Sequence, residues 1–181
     1  GFFPAFGIGW AVSNESWWTP LQDVVSYFKV RYTDGLVGTD AVTGRRFMYL
    51  DQMASVDGYR FGDQNNGVGG WGFSKYGANV GWSTSRKQDL GVDLKFFKDN
   101  LSLTFDVFKE HRKDIFITRR VIPDYSGFVE MPYANLGVVD NKGFEATLEY
   151  TQQLGKQCFL TVRGNFSWNE DKIIENDDPR V

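Results

Sequence analysis

The chain has 181 residues, of which 41% are hydrophobic and 17% aromatic, and a formal net charge of -3. An acidic chain lacks the basic surface that binding to a phosphate backbone requires, so we expect no nucleic-acid partner. The single cysteine, Cys158, excludes an internal disulfide framework and a cysteine-rich zinc site. No apolar run approaches the ~20 residues of a membrane helix. We expect no cofactor and no metal centre.

Apolar and polar residues alternate with a period of two in six stretches, which is the pattern of half-buried β-strands. In chain order these predicted strands are 5–12, 28–33, 89–96, 101–108, 143–150 and 158–168. Only a short turn near 17–24 departs from strand or loop character. The alternation therefore predicts an all-β, antiparallel fold.

Full charges occupy one face of these strands, and bulky apolar side chains occupy the other. The charged residues are Lys29, Arg31, Asp93, Lys95, Asp106, Glu145, Glu149 and Arg163. A soluble sandwich buries its apolar face, whereas a transmembrane barrel turns that face to lipid and its charges to a wet lumen. Both architectures produce the same alternation, so the faces alone leave the choice open.

The lengths of the connections favour the barrel. Short connections fall at 98–100 and 153–156, an intermediate one at 13–23, and long ones at about 35–83 and 111–136. The chain again becomes loop-like at 169–172. Outer-membrane barrels have short periplasmic turns and long external loops, whereas long unstructured loops are uncommon in compact soluble domains.

Four segments resemble the C-terminal half of the barrel in SusC/RagA-like TonB-dependent transporters. They are GFFPAFGIGWAVSNE (1–15), YFKVRYTDG (27–35), WSTSRKQDLGVDLKFFKDNLSLTFDVFKEHRKDI (82–115) and YANLGVVDNKGFEATLEY (133–150). Together they cover roughly half of the chain in the family's order. The chain departs from the family's usual residues at 77–80 and 32–35. Both segments lie at strand ends or in loops, so they bear on substrate specificity more than on family membership.

The resemblance implies that residues 1–181 are a partial TonB-dependent receptor β-barrel domain with long extracellular loops. Such a barrel has about 22 strands around a plug, and six strands cannot close it without leaving unpaired backbone groups in lipid. We therefore expect a fragment without the plug. The resemblance also implies an outer-membrane location, a SusD-like lipoprotein partner, energy from TonB, and import of an oligosaccharide or peptide.

Aromatic residues of the long connections are the candidate substrate-binding groups, because sugars and peptides are held by stacking and polar rims. The candidates are Tyr59, Trp71, Phe73, Tyr76, Tyr125 and Tyr133. They could equally pack the loops on each other or against the lipoprotein partner. The glycines at 67–72 are interpreted as loop punctuation, and Lys29, Arg31 and Arg163 as ion-paired lumen residues or a path for an anionic substrate.

Two other classes remain as alternatives. One is a soluble β-sandwich that binds carbohydrate through exposed tryptophans. The other is an outer-membrane hydrolase, which would need a serine and a carboxylate beside His111, the only histidine. Because His111 lies among charged residues, we expect a solvated side chain, and we expect no catalytic residue in this chain. Asp57, Asp63 and Asn65 could offer calcium oxygens but lack the spacing of a calcium loop.

Overall fold

The computed structural model describes residues 1–40, 46–56, 58, 69–123, 130–155 and 158–178. Its strands are β1 (Ala5–Ala11), β2 (Val25–Thr39), β3 (Gln52–Val56), β4 (Gly70–Lys75), β5 (Ser83–Phe96), β6 (Leu101–Thr118), β7 (Tyr133–Gln153) and β8 (Phe159–Glu175). Two short 3-10 helices, Val12–Asn14 and Ser16–Leu21, connect β1 to β2. Among these residues, no helix is long and apolar enough to cross a membrane.

Six of the strands form one sheet in the order β1-β2-β5-β6-β7-β8. The β1–β2 pair is antiparallel and runs from Ala5 opposite Gly35 to Ala11 opposite Lys29. These six strands are the six that the alternation predicts, in the same order. The antiparallel all-β prediction is therefore confirmed.

The strands are longer than the alternation predicts. The predicted loop at 111–136 is wrong at both ends, because β6 continues to Thr118 and β7 starts at Tyr133. The predicted loop at 169–172 is also wrong, since β8 continues to Glu175. The β6 and β8 extensions carry charged residues on either face, at 112–114 and 170–172, so backbone pairing continues where the apolar pattern has ended.

A second, two-stranded sheet pairs β3 with β4 inside the predicted long loop. The sequence predicts a loop for the glycines at 67–72, but Gly70 and Gly72 lie within β4. Trp71 and Phe73 lie on this strand as well, opposite Ser55 and Met53. Because glycine is uncommon in strands, the composition of this segment does not predict β4, although its aromatic residues alternate with small ones.

The apolar face of the large sheet is exposed. Ile8 is 69% exposed and Phe166 is 59% exposed. Within the described ranges, the buried hydrophobic residues are only Val12, Ala78 and Phe116, and no large side chain is fully buried. A sandwich would bury these apolar side chains in a dry centre between two sheets. The structure therefore does not favour the soluble sandwich.

Contacts between residues divide the chain into two units. The first unit comprises Gly1–Gly38, Ser85–Arg112 and Val139–Lys172, and the second comprises Thr39–Thr84, Lys113–Val138 and Ile173–Val181. The first unit contains the short connections between strands. One of them, after β5, turns through three consecutive residues with positive φ: Phe97, Lys98 and Asp99. The second unit contains the two long connections.

Candidate functional site

A cavity of about 250 Å³ lies within the second unit. It is lined by Arg46, Phe47, Met48, Leu50, Gln52, Lys75, Tyr76, Glu130, Met131 and Tyr133. These residues come from three parts of the chain: the segment before β3, the end of β4, and the approach to β7. A cavity of this size accommodates one residue or one ring of a larger ligand.

Backbone hydrogen bonds fix one wall of the cavity. The N–H of Ala78 donates to the carbonyl of Met48 at 2.8 Å, and the N–H of Leu50 donates to Phe47 at 3.1 Å. The Asp51 carboxylate accepts the N–H of Gly77 at 2.7 Å. The segment before β3 is therefore tied to the segment that follows β4.

Tyr133 lines the other side of the cavity, and Asn135 lies two residues further along β7. The Asn135 carboxamide accepts the N–H of Gly81 at 2.9 Å and donates to the carbonyls of Gly81 (3.1 Å) and Asp114 (2.7 Å). The Tyr133 ring stacks on Phe116 with centroids 5.3 Å apart and planes at 9°. Because Phe116 is buried, this stack fixes where the Tyr133 ring lies.

The cavity lining combines charges of both signs with aromatic and thioether groups. Arg46 and Lys75 bring cationic groups, and Glu130 brings a carboxylate. Tyrosine rings offer flat apolar faces with a polar edge, and methionines adapt to irregular apolar shapes. The lining can therefore hold a ligand that has an apolar body and ionic ends.

The structure brings together two of the six predicted substrate-binding residues. Tyr76 and Tyr133 line the cavity. Trp71, 75% exposed, and Phe73 do not line it, although the Phe73 ring lies 5.4 Å from the Tyr76 ring. Outside the described residues lie Tyr59, Tyr125 and the calcium candidates Asp57, Asp63 and Asn65.

The polar face of the first unit carries a cluster of ion pairs around Arg31. Its guanidinium lies 2.6 Å from the Asp106 carboxylate, 3.2 Å from Asp93 and 3.8 Å from Asp89. A Cβ atom on Gly91 would approach the guanidinium to 2.5 Å, so glycine makes room for the cluster. Because three carboxylates surround one guanidinium, the cluster has a net negative charge.

A second ion pair on the same face joins β7 and β8. The Nε atom of Arg163 donates to the Glu149 carboxylate at 2.6 Å. Arg31 and Arg163 are thus both ion-paired, which agrees with the simpler of the two interpretations of these residues. A path for an anionic substrate gains no support from an arginine enclosed by three aspartates.

His111 lies on the sheet opposite an acidic neighbour. Its Nδ1 atom is 2.5 Å from Asp140 Oδ1, and its side chain is 47% exposed. The side chain is exposed, as expected for a residue among charges, and it has a carboxylate partner that the sequence does not predict. No group of three or more histidine, cysteine or acidic residues in the described ranges is arranged to hold a metal.

Several cavity residues were not singled out by the sequence. Arg46, Met48, Glu130 and Met131 have no distinguishing pattern in the long connections, because the cavity joins segments far apart in the chain. The sequence indicates Arg31 as a candidate, but it marks Asp93 and Asp106 only as members of a charged face. Gly91, between Asp89 and Asp93, was the one available signal of a close approach.

Comparisons with known proteins place the whole chain in one family. Residues 1–180 match the family described as TonB dependent receptor-like, beta-barrel. The chain is 29% identical over 176 residues to TonB-dependent receptor P3 of Formosa agariphila, covering 96% of the chain and 17% of that receptor. It is 23% identical over 180 residues to TonB-dependent receptor SusC of Bacteroides thetaiotaomicron, covering 97% and 17%.

Solved structures show the same fold. The RagAB peptide importer in its closed-closed state matches with a TM-score of 0.75 and 19% identity, over 96% of this chain and 18% of that one. Its open-open state matches with a TM-score of 0.76 and 20% identity, over 94% and 18%. The chain thus spans about a sixth of the length of the receptors that it matches.

Proposed function

The chain belongs to the SusC/RagA-like TonB-dependent receptor β-barrel family of the bacterial outer membrane, and from this premise we propose that it forms part of the wall and outer connections of a nutrient importer. One observation carries the proposal: a single antiparallel sheet has an exposed apolar face and an opposite face of ion pairs. A transmembrane barrel requires this arrangement, with lipid on one side and water on the other.

Residues 1–181 supply a partial barrel domain in this proposal, and the rest of a longer polypeptide supplies the remaining strands and the plug. The small share of each related receptor that the chain covers supports this division. The edges of β1 and β8 then pair with further strands, since unpaired backbone groups in lipid cost several kcal/mol each. TonB delivers energy through the plug, and a SusD-like lipoprotein covers the outer connections.

The imported nutrient is an oligomer, a glycan or a peptide, and the cavity of the second unit holds one of its residues. Arg46, Lys75 and Glu130 provide partners for both ionic ends of a peptide, whereas a neutral glycan uses neither sign of charge. The cavity lining therefore favours a peptide. No residue of this chain performs covalent chemistry in the mechanism, which is binding followed by gated passage.

The test is uptake by cells that depend on the full-length transporter carrying Tyr76→Leu. Loss of a stacking ring should raise the concentration for half-maximal uptake about three- to tenfold. Trp71→Leu is the matched control, because Trp71 lies on β4, five residues before Tyr76, but does not line the cavity. A larger effect from Trp71→Leu than from Tyr76→Leu would contradict this site.

Calorimetric titration of the purified full-length transporter distinguishes the two substrate classes. We expect mixed peptides to bind and neutral oligosaccharides of similar size to bind at least tenfold more weakly. Glu130→Gln should weaken binding of peptides with basic ends and leave acidic ones unaffected. Tight binding of glycans with no response to peptides would overturn the peptide assignment while leaving the importer intact.

A further inference from the structure

Charged side chains continue the apolar face of the sheet in the first unit. Alternate residues of a strand share a face, so Asp34 shares the face of Tyr32, and Glu170 shares that of Trp168. We call the following residues the charged belt: Asp34, Arg86, His111, Asp140, Lys142 and Glu170. Each lies within four residues of an apolar member of its own strand, and each lies towards the strand end that leads to a long connection or to the chain's C-terminal part.

The belt is made of ion pairs and one histidine–carboxylate contact between neighbouring strands. Arg86 donates to the Asp34 carboxylate through Nε at 3.1 Å and Nη2 at 2.7 Å. His111 Nδ1 lies 2.5 Å from Asp140, and Lys142 Nζ lies 3.1 Å from Glu170. These contacts tie β2 to β5, β6 to β7, and β7 to β8. The belt is therefore formed by contacts that link neighbouring strands of the sheet.

In every pair the side chain that bears nitrogen is more exposed than the carboxylate. The exposed fractions of the side chains are 57% for Arg86 against 9% for Asp34, 47% for His111 against 36% for Asp140, and 62% for Lys142 against 50% for Glu170. A guanidinium has five N–H donors and an ammonium has three, so each retains donors beyond those its carboxylate accepts. The belt presents nitrogen donors outward.

The belt lies where the apolar part of the membrane should end. On β5, the apolar stretch between Gln88, which donates to Asp34 at 2.9 Å, and Phe97 at the short turn is about 30 Å long at the rise of a strand. A strand tilted by about 40° covers about 23 Å of membrane over that length, near the ~25 Å apolar band of outer-membrane barrels. The belt is therefore level with lipid headgroups.

We propose that the charged belt binds the phosphate groups of anionic lipids in the outer leaflet. Arg86 and Lys142 donate to the phosphate oxygens, and their partner carboxylates hold the two cations in place. Lys109, exposed and on the same face of β6 as His111, adds a further donor. Headgroup phosphates are thereby fixed along the lipid-facing side of the wall, away from the substrate route.

The test uses the full-length transporter, purified in detergent and titrated with phosphatidylglycerol under native mass spectrometry. The double variant Lys109→Gln/Lys142→Gln should bind this lipid about fivefold more weakly for each lysine removed. A neutral galactosyl diacylglycerol should bind wild type and variant alike. Lys142→Arg, which keeps the charge, should retain binding.

Lys29→Gln is the matched control, because Lys29 lies on the opposite face, which Arg31 shares. It should leave phosphatidylglycerol binding unchanged. Unaltered binding in the double lysine variant would overturn the proposal, and so would an equal loss in Lys29→Gln. A matching loss of the neutral lipid would also overturn it, because acyl-chain contacts rather than the headgroup would then account for binding. Uptake of the nutrient is a separate measurement and tests the importer independently.

Discussion

The ring of Phe108 on β6 covers Gly143 on β7. A Cβ atom placed on Gly143 would lie 2.6 Å from the Phe108 Cζ atom and would also press against the backbone carbonyl of Trp168 on β8. The ring takes the space that a side chain would occupy. Three neighbouring strands therefore depend on the absence of a single side chain at Gly143.

Gly143→Ala should destabilise the barrel by about 1–3 kcal/mol, because the added methyl group must displace backbone as well as the aromatic ring. The measurement is urea unfolding of the full-length protein in detergent, followed by tryptophan fluorescence. Gly164→Ala on β8 is the control, since a Cβ there meets no atom within 4 Å. An equal loss of stability in both variants would argue against the Phe108 contact as the cause.

Arg31→Gln should destabilise the wall, because Asp89, Asp93 and Asp106 would repel each other without the guanidinium. The Arg31 side chain is 34% exposed, so solvent screening reduces the loss to about 1–2 kcal/mol. The same urea unfolding measures it. Adding Asp106→Asn to Arg31→Gln should restore part of the stability; further destabilisation by the second change would contradict the repulsion argument.

Asn135→Asp should loosen the segment 77–82 while leaving the strands intact. The aspartate lacks the amide hydrogens that Asn135 donates to Gly81 and Asp114, and each lost hydrogen bond costs about 1–3 kcal/mol locally. Limited proteolysis of the folded transporter should then cut this segment faster than in wild type. Asn165→Asp, on exposed β8, should be cut as wild type is.

Acidification should release the segment after β6 from the end of β8. The N–H groups of Arg120 (2.8 Å) and Val121 (3.3 Å) donate to the Asp177 carboxylate and, with the Arg119 charge, hold its pKa below the ordinary 3.8. A carboxyl whose pKa is lowered by folding stabilises the fold above its unfolded pKa and loses that effect as pH falls through the folded value. The contact is thus complete at neutral pH and weakens as the pH falls below the ordinary value of 3.8 and through the lowered pKa of Asp177.

Hydrogen exchange of the peptide 119–123 in the full-length protein measures this contact. Wild type should exchange more slowly than Asp177→Ala at pH 6, and the difference should vanish in strong acid. Comparing the two proteins at the same pH cancels the intrinsic exchange rate. Glu175→Ala is the control and should follow wild type. A difference that persists unchanged at pH 2 would contradict the role of the ionised carboxylate.

Sequence alone predicted the strand order and the two faces but not the strand ends. In 143–150, every second side chain is apolar because one face of β7 meets lipid, and this pattern is readable. At 169–172 polar and charged residues occupy both faces, so the apolar pattern vanishes although β8 continues through hydrogen bonds. Sequence patterns report the surroundings of a strand, whereas its length depends on backbone pairing with its neighbour.

The candidate site was predictable only in part. Tyr76 and Tyr133 stood out as aromatic residues of long connections, and both line the cavity. Arg46 and Glu130 did not stand out, because isolated charges in connections are ordinary, and only folding brings these two to one cavity. Pairing between distant segments is the information that a single sequence does not display.

The seventeen residues of β8 pair on one side only in the described sheet, and every one of them is solvent-exposed. An edge strand of this length, with Val162 and Phe166 on its apolar face, can pair through its backbone with any similar strand. Expressed on its own, this segment should aggregate through edge-to-edge pairing of β8 with copies of itself. We expect this aggregation to be prevented when a neighbouring strand is already paired with the outer edge of β8.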